Sequence, residues 1–155
     1  MHATAHQAGT TRYAGTPVQK VAAVFGVVFL FFGIAGFIPG LTTDVDTILF
    51  FGHESGALLL GLFQVSILHN IVHLLFGVAG LWLATSFAGS RAYLIWGGVI
   101  YAVLLLYGLF VAGAEHAGNF VPINVADNWL HAGLAVAMIL LGVLLGRRER
   151  TEATA

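Results

Sequence analysis

Four uninterrupted apolar runs, at about residues 18–38, 67–84, 92–111 and 125–145, decide most of what this chain can become. Each is close to the ~20 residues a helix needs to cross a bilayer core about 30 Å thick. The runs are continuous, whereas a barrel strand would alternate apolar and polar side chains, so the pattern predicts helices and not strands. A soluble alternative is closed off by composition. Of the 155 residues 59% are hydrophobic and 8% charged, against roughly a quarter charged in an ordinary soluble domain. The expected fold is therefore an all-α membrane protein, a four-transmembrane-helix bundle. Cysteine is absent, which removes disulfides, thiolate metal sites and cysteine nucleophiles from consideration.

The few charges carry the orientation. Arg12 and Lys20 precede or open the first run, Arg91 falls between the second and third, and Arg147, Arg148 and Arg150 follow the fourth, so all six basic residues fall on one side. The stretches 39–63 and 112–124 hold none and contain Asp44, Asp46, Glu54 and Glu115 instead. The positive-inside rule then places both termini in the cytoplasm. Residues 1–17 read as a short cytoplasmic tail and not as a signal peptide, 18–146 as a single four-helix domain, and 147–155 as a basic cytoplasmic tail. The expected location is a bacterial cytoplasmic (inner) membrane. The lipid bilayer is the expected partner, and a net charge of −1 gives no footing for nucleic acid. The apolar stretch 57–63 lies too close to the second run to be another crossing and is expected in the outer interface. Gly36-x-x-x-Gly40 and Gly142-x-x-x-Gly146 have the spacing of close helix contacts, leaving a homo-oligomer or a membrane-protein partner open.

An internal repeat is expected. Ser66, His69, Asn70 and His73 align at a fixed offset with Asn124, Asp127, Asn128 and His131, opening the second and fourth helices with (Ser/Asn)-x-x-(His/Asp)-Asn-x-x-His. Upstream, residues 13–16 resemble 87–90. The implied arrangement is two tandem helical hairpins, a parallel pseudo-repeat about an axis along the membrane normal. Ser66 and Asn124 are suited to N-caps, which puts His69 and Asp127 in the first helical turns and His73 and His131 one turn deeper. Helical spacing groups these residues with Gly77 and Gly80 on one helix, and with Ala135, Met138 and Gly142 on the other. Faces of polar and small residues belong at helix contacts, so the second and fourth helices are expected to meet at the centre of the bundle.

Three readings compete for His69, Asn70, His73, Asp127, Asn128 and His131. In the leading one the set is structural: Asn70 and Asn128 hydrogen-bond across the helix pair, Asp127 caps backbone amides, and the imidazoles satisfy one another. In the second, His69, His73, Asp127 and His131 bind a metal ion. In the third, His73 and His131 ligate haem b from two helices. Either cofactor would suit redox or ion sensing. His53 beside Glu54, and Glu115 beside His116, read as solvated loop residues, while His2 and His6 lie on the wrong side to contribute. The cytoplasmic halves of the helices carry no carboxylate, Lys or Arg, with Tyr101 and Tyr107 the main polar atoms of the third helix, which speaks against an ion pathway through one chain. Ser66 as a nucleophile is better explained by its cap, so catalysis is not the expected role.

The stretch from Gly61 to Gly77, GLFQVSILHNIVHLLFG, together with Asp127-Asn128-Trp129-Leu130-His131, resembles a family of four-helix bacterial membrane proteins, common in actinobacteria, called domain of unknown function 4383. The resemblance runs from about Tyr13 to Gly146. It implies the four-span architecture and the importance of the six polar residues, and it brings no activity with it. A more distant likeness to DoxX-like four-helix membrane proteins also leaves the chemistry open.

Overall fold

A computed structural model describes residues 12–112 and 118–152. Within them lie four α-helices: α1 (Pro17–Ala35), α2 (Ile67–Leu83), α3 (Phe87–Val111) and α4 (Val125–Glu152). Three are long and apolar enough to cross a membrane, namely α1, α3 and the 125–147 part of α4. The fourth, α2, has 17 residues, about 25 Å of helix, which is the lower end of the spanning range.

Helix boundaries follow local chemistry. At the start of α1, Thr16 and Gln19 form a reciprocal capping box, with Pro17 in the first turn where its missing N–H costs nothing. The Gln19 carboxamide also donates to the carbonyl of Ala84 at 2.9 Å, tying the start of α1 to the end of α2. The helix stops at Ala35, three residues short of the apolar run, because 36–38 tighten into turns ahead of Pro39. Conversely, α3 begins five residues earlier than its apolar run. Ser86 caps it by accepting from the amide of Gly89, and the Ser90 hydroxyl donates to the carbonyls of Ser86 and Leu83, so these polar residues sit comfortably in the first turn. The likeness of 13–16 to 87–90 therefore has no structural counterpart: the first stretch precedes α1, and the second is the opening turn of α3.

The α1–α2 connection folds into a small antiparallel sheet, β1 (Thr42–Thr43), β2 (Leu58–Leu59) and β3 (Phe63–Gln64), with Thr42 opposite Leu59 and Leu59 opposite Phe63. Leu60 and Gly61, at φ 53° and 69°, make the tight turn between β2 and β3. Stretch 57–63 is thus only partly a surface segment. Ala57 and Leu59 are buried with Ala35 and Val65, closing the end of the bundle where α1 passes into α2, while Leu60 and Leu62 are exposed.

Packing pairs α1 with α2 and α3 with α4 along their lengths, and the other helix pairs touch far less. This corrects the expected central meeting of α2 and α4. The small-residue faces are spent inside the hairpins, where backbones come closest. A Cβ on Gly26 would lie 2.8 Å from the Leu81 nitrogen and 3.0 Å from the Gly77 oxygen; one on Gly98 would lie 3.0 Å from the Ile139 nitrogen and 3.0 Å from the Ala135 oxygen. Gly142 likewise packs on Leu94 and Ile95, and Gly146 on the Arg91 side chain, so that glycine pair serves contacts within the chain. The main core, around Phe29, Tyr93, Leu94, Tyr101 and Met138, lies where the two hairpins face each other.

Candidate site at the connection end of the bundle

The polar residues flanking α2 and α4 separate into those that hold the fold and those left over. Ser66 caps α2 by accepting from the amide of His69 at 3.1 Å. At the start of α4, Asn124 Oδ1 accepts from the amide of Asp127 at 3.0 Å, and Asp127 Oδ2 accepts from the amide of Asn124 at 2.9 Å. This is a capping box with a carboxylate in the favourable field of a helix N-terminus. The same Oδ2 accepts from the Gln64 amide at 3.2 Å, fastening β3 to α4. Gln64 in turn donates its carboxamide to the carbonyls of His53 and Ser55, at 2.9 Å each. Asn124 Nδ2 donates to Leu62, and the Gly52 amide to Phe120, so the two outer connections are laced together. Asp127 is a joint between these pieces.

Asn70 and Asn128 do not reach each other as the sequence suggests. Each instead lies over a glycine of its own hairpin partner: a Cβ on Gly36 would overlap the carboxamide of Asn70, and one on Gly108 that of Asn128. The reason is the pairing of the helices, which turns both Asn side chains toward α1 and α3 and away from one another. Asn70 Oδ1 and Nδ2 and Asn128 Oδ1 have no hydrogen-bond partner among the described residues.

The imidazoles form the rest of the site. His69 and His73 meet edge to face with ring centroids 4.6 Å apart. His73 lies 5.8 Å from Phe29, Phe29 stacks on Tyr101 at 5.5 Å with planes 4° apart, and Tyr101 lies 5.4 Å from His131. The order is His73, Phe29, Tyr101, His131, with an aromatic pair in the middle. All three histidines are more than nine-tenths buried, and the Nδ1 atom of each has no hydrogen-bond partner among the described residues. His69 faces the backbone of Gln64 and Pro122 on its other side. The same three rings line two cavities. One, about 90 Å³, is closed by Val72, Leu104, Val121 and Ile123. The other, about 210 Å³, is walled by Phe29, Phe32, Phe63, Leu130 and Leu134, with Asp127 at its edge.

This geometry lends neither cofactor reading support. Among the described residues no three His, Asp or Glu side chains are grouped so as to hold a metal ion. In the expected fourth ligand, Asp127, Oδ2 is taken up by two backbone amides. For haem b, the Phe29–Tyr101 stack takes up space beside both His73 and His131, and the cavities fall below the ~300 Å³ at which pockets for drug-sized ligands begin. Loop residues His53 and Glu54 line neither cavity. Glu115, His116, His2 and His6 lie outside the described residues.

Sequence reasoning overlooked Phe29 and Tyr101 as a stacked pair, Gln64 as the clamp on Asp127, and Tyr93, whose hydroxyl donates to the Phe76 carbonyl at 3.1 Å. It also grouped Tyr107 with the opposite half of α3, whereas its hydroxyl donates to Gly118 and accepts from the Phe120 amide in the α3–α4 connection. A polar residue in an apolar run announces itself; an aromatic one does not. A family profile with the description Domain of unknown function (DUF4383) matches residues 19–144. No curated protein and no solved structure matches the chain.

Proposed function

The chain belongs to the family described as Domain of unknown function (DUF4383), and from that premise we propose a non-catalytic four-span protein of a bacterial cytoplasmic membrane, whose outer end binds a small molecule drawn from the bilayer. In this reading residues 18–146 form one domain of two tandem hairpins, with a cytoplasmic tail before it and a basic cytoplasmic tail after it. The repeat is supported by recurring contacts: glycine against helix backbone at Gly26 and Gly98, glycine beneath asparagine at Gly36 and Gly108, and an aromatic ring beside a histidine in each hairpin.

One observation carries the binding role: three buried imidazoles, each with an unpartnered Nδ1 among the described residues, line two cavities whose other walls are mostly apolar. Bundles held together by polar residues satisfy those residues internally, because an unpaired buried polar atom costs about 1–3 kcal/mol. Caps and joints here are well bonded, and the three histidines, together with Asn70 and Asn128, are the exceptions in this part of the bundle. Such an exception marks a place where stability is given up for another purpose.

Replacing His131 by Phe tests this. Phenylalanine keeps the ring and removes the orphaned nitrogens, so unfolding of the purified protein in mixed micelles is expected to be unchanged or up to about 1 kcal/mol harder. A structural histidine behaves oppositely, and a loss of about 2 kcal/mol or more would return the site to bundle maintenance.

A further inference from the structure

Resting on the binding role just given, we infer the class of ligand: a neutral, lipid-soluble molecule carrying one oxygenated six-membered ring, quinone or phenol, on an aliphatic tail. The route of entry comes from the helix pairing. Because α1 packs on α2 and α3 on α4, the seam between α1 and α4 is thinly packed. The larger cavity lies on that seam. Val28 of α1 and Leu130 of α4 line it and are 37% and 38% exposed, on surfaces that face lipid in the four-span arrangement. A ligand therefore enters sideways from the outer leaflet, with its tail left between Val28 and Leu130.

Size sets the headgroup. A dry apolar cavity of about 150 Å³ holds benzene, and this one has about 210 Å³. One substituted ring is the size of headgroup that this volume suits. Phe29, Phe32 and Phe63 on the walls suit a flat ring, which stacks on or abuts aromatic faces. The walls offer a charged ligand little: no Lys or Arg lines the cavity to meet an anion, and of the one carboxylate there, Asp127, Oδ2 already accepts from two amides. What remains is neutral hydrogen bonding. A neutral imidazole offers one donor and one acceptor nitrogen, so three of them can bond a ring carbonyl, a ring hydroxyl, or each in turn.

The test uses the full chain in lipid nanodiscs, with a decyl-substituted benzoquinone as probe and n-decanol as the ringless comparison, read by calorimetry and by shift of the melting temperature. Two variants report on the pocket. Leu134→Trp fills it, and His131→Phe keeps its volume while removing hydrogen bonds; if the first fails to fold, the second decides. Saturable one-site binding of the quinone, weakened at least tenfold by the variants and stronger than binding of decanol, is the expected result. Decanol binding as tightly as the quinone, and being lost in the same variants, would overturn the ring assignment while leaving the pocket in place. No binding of either probe, or quinone binding that both variants leave untouched, would overturn the ligand class and the binding role together.

Discussion

Gly26→Leu should leave the protein about 3 kcal/mol or more less stable, at the top of the range for overpacking a close contact. The atoms its new Cβ would strike are all backbone: the Leu81 nitrogen at 2.8 Å, the Gly77 oxygen at 3.0 Å and the Gly80 carbonyl carbon at 3.1 Å. A side chain could swing aside, but a helix backbone cannot yield without moving the whole of α2. Separating α1 from α2 also disturbs the seat of Asn70 against Gly36, so the loss extends to the outer end. Gly98→Leu should act in the same way on α3 and α4, meeting the backbone of Ala135 and Ile139 at 3.0 Å. Gly133→Leu is the control: its Cβ would have nothing within 4 Å, and the change should stay within about 0.5 kcal/mol. Reversible unfolding in mixed detergent micelles reads all three. A Gly26→Leu protein as stable as the Gly133→Leu protein would show that the α1–α2 contact is not the close one described.

Asp127→Ala comes second, with an expected loss of about 3 kcal/mol. Two backbone amides, those of Asn124 and Gln64, share Oδ2 of this carboxylate. Removing it forfeits a helix cap, about 0.5–2 kcal/mol, and leaves donors to find other partners, about 1–3 kcal/mol each where water cannot reach. Asp127→Asn keeps an acceptor oxygen but loses the charge at the helix N-terminus, so it should fall between wild type and Ala. Hydrogen exchange gives the local signature: the Gln64 and Asn124 amides should exchange faster in Asp127→Ala, while amides in the middle of α3 stay protected. If those two amides were unaffected, Asp127 would not be the joint between β3 and α4.

The two substitutions also show what could be read from the sequence and what could not. The helices were legible because a bilayer-length apolar run has few other solutions, and the family was legible from His69-Asn70-x-x-His73 and Asp127-Asn128-x-x-His131. The pairing of helices was not. Gly77 and Gly80, or Ala135 and Gly142, mark a face on which something packs closely, yet nothing in their spacing says which helix arrives there. The natural guess, α2 against α4, brought with it the Asn70–Asn128 bond, and both fail for one reason. Asp127 shows the same limit: its spacing marks a first-turn residue of α4, but its partner Gln64 is distant in the chain and arrives through a two-residue strand too short to leave a pattern. Where a capping residue was decisive, as with Ser66 and Asn124, local sequence sufficed.

The account turns on two hairpins crossing the bilayer four times, with the short α2 among them, so that the imidazole pocket opens near the outer face. A chain without cysteine allows this to be measured with single cysteines placed at Glu54, in the α1–α2 connection, and at Thr85, between α2 and α3. In intact spheroplasts a membrane-impermeant maleimide should label Glu54→Cys at once and Thr85→Cys only after the membrane is breached. Labelling of both positions from outside, or of Thr85→Cys alone, would mean that α2 does not cross or that the orientation is reversed, and would contradict the placement of the site.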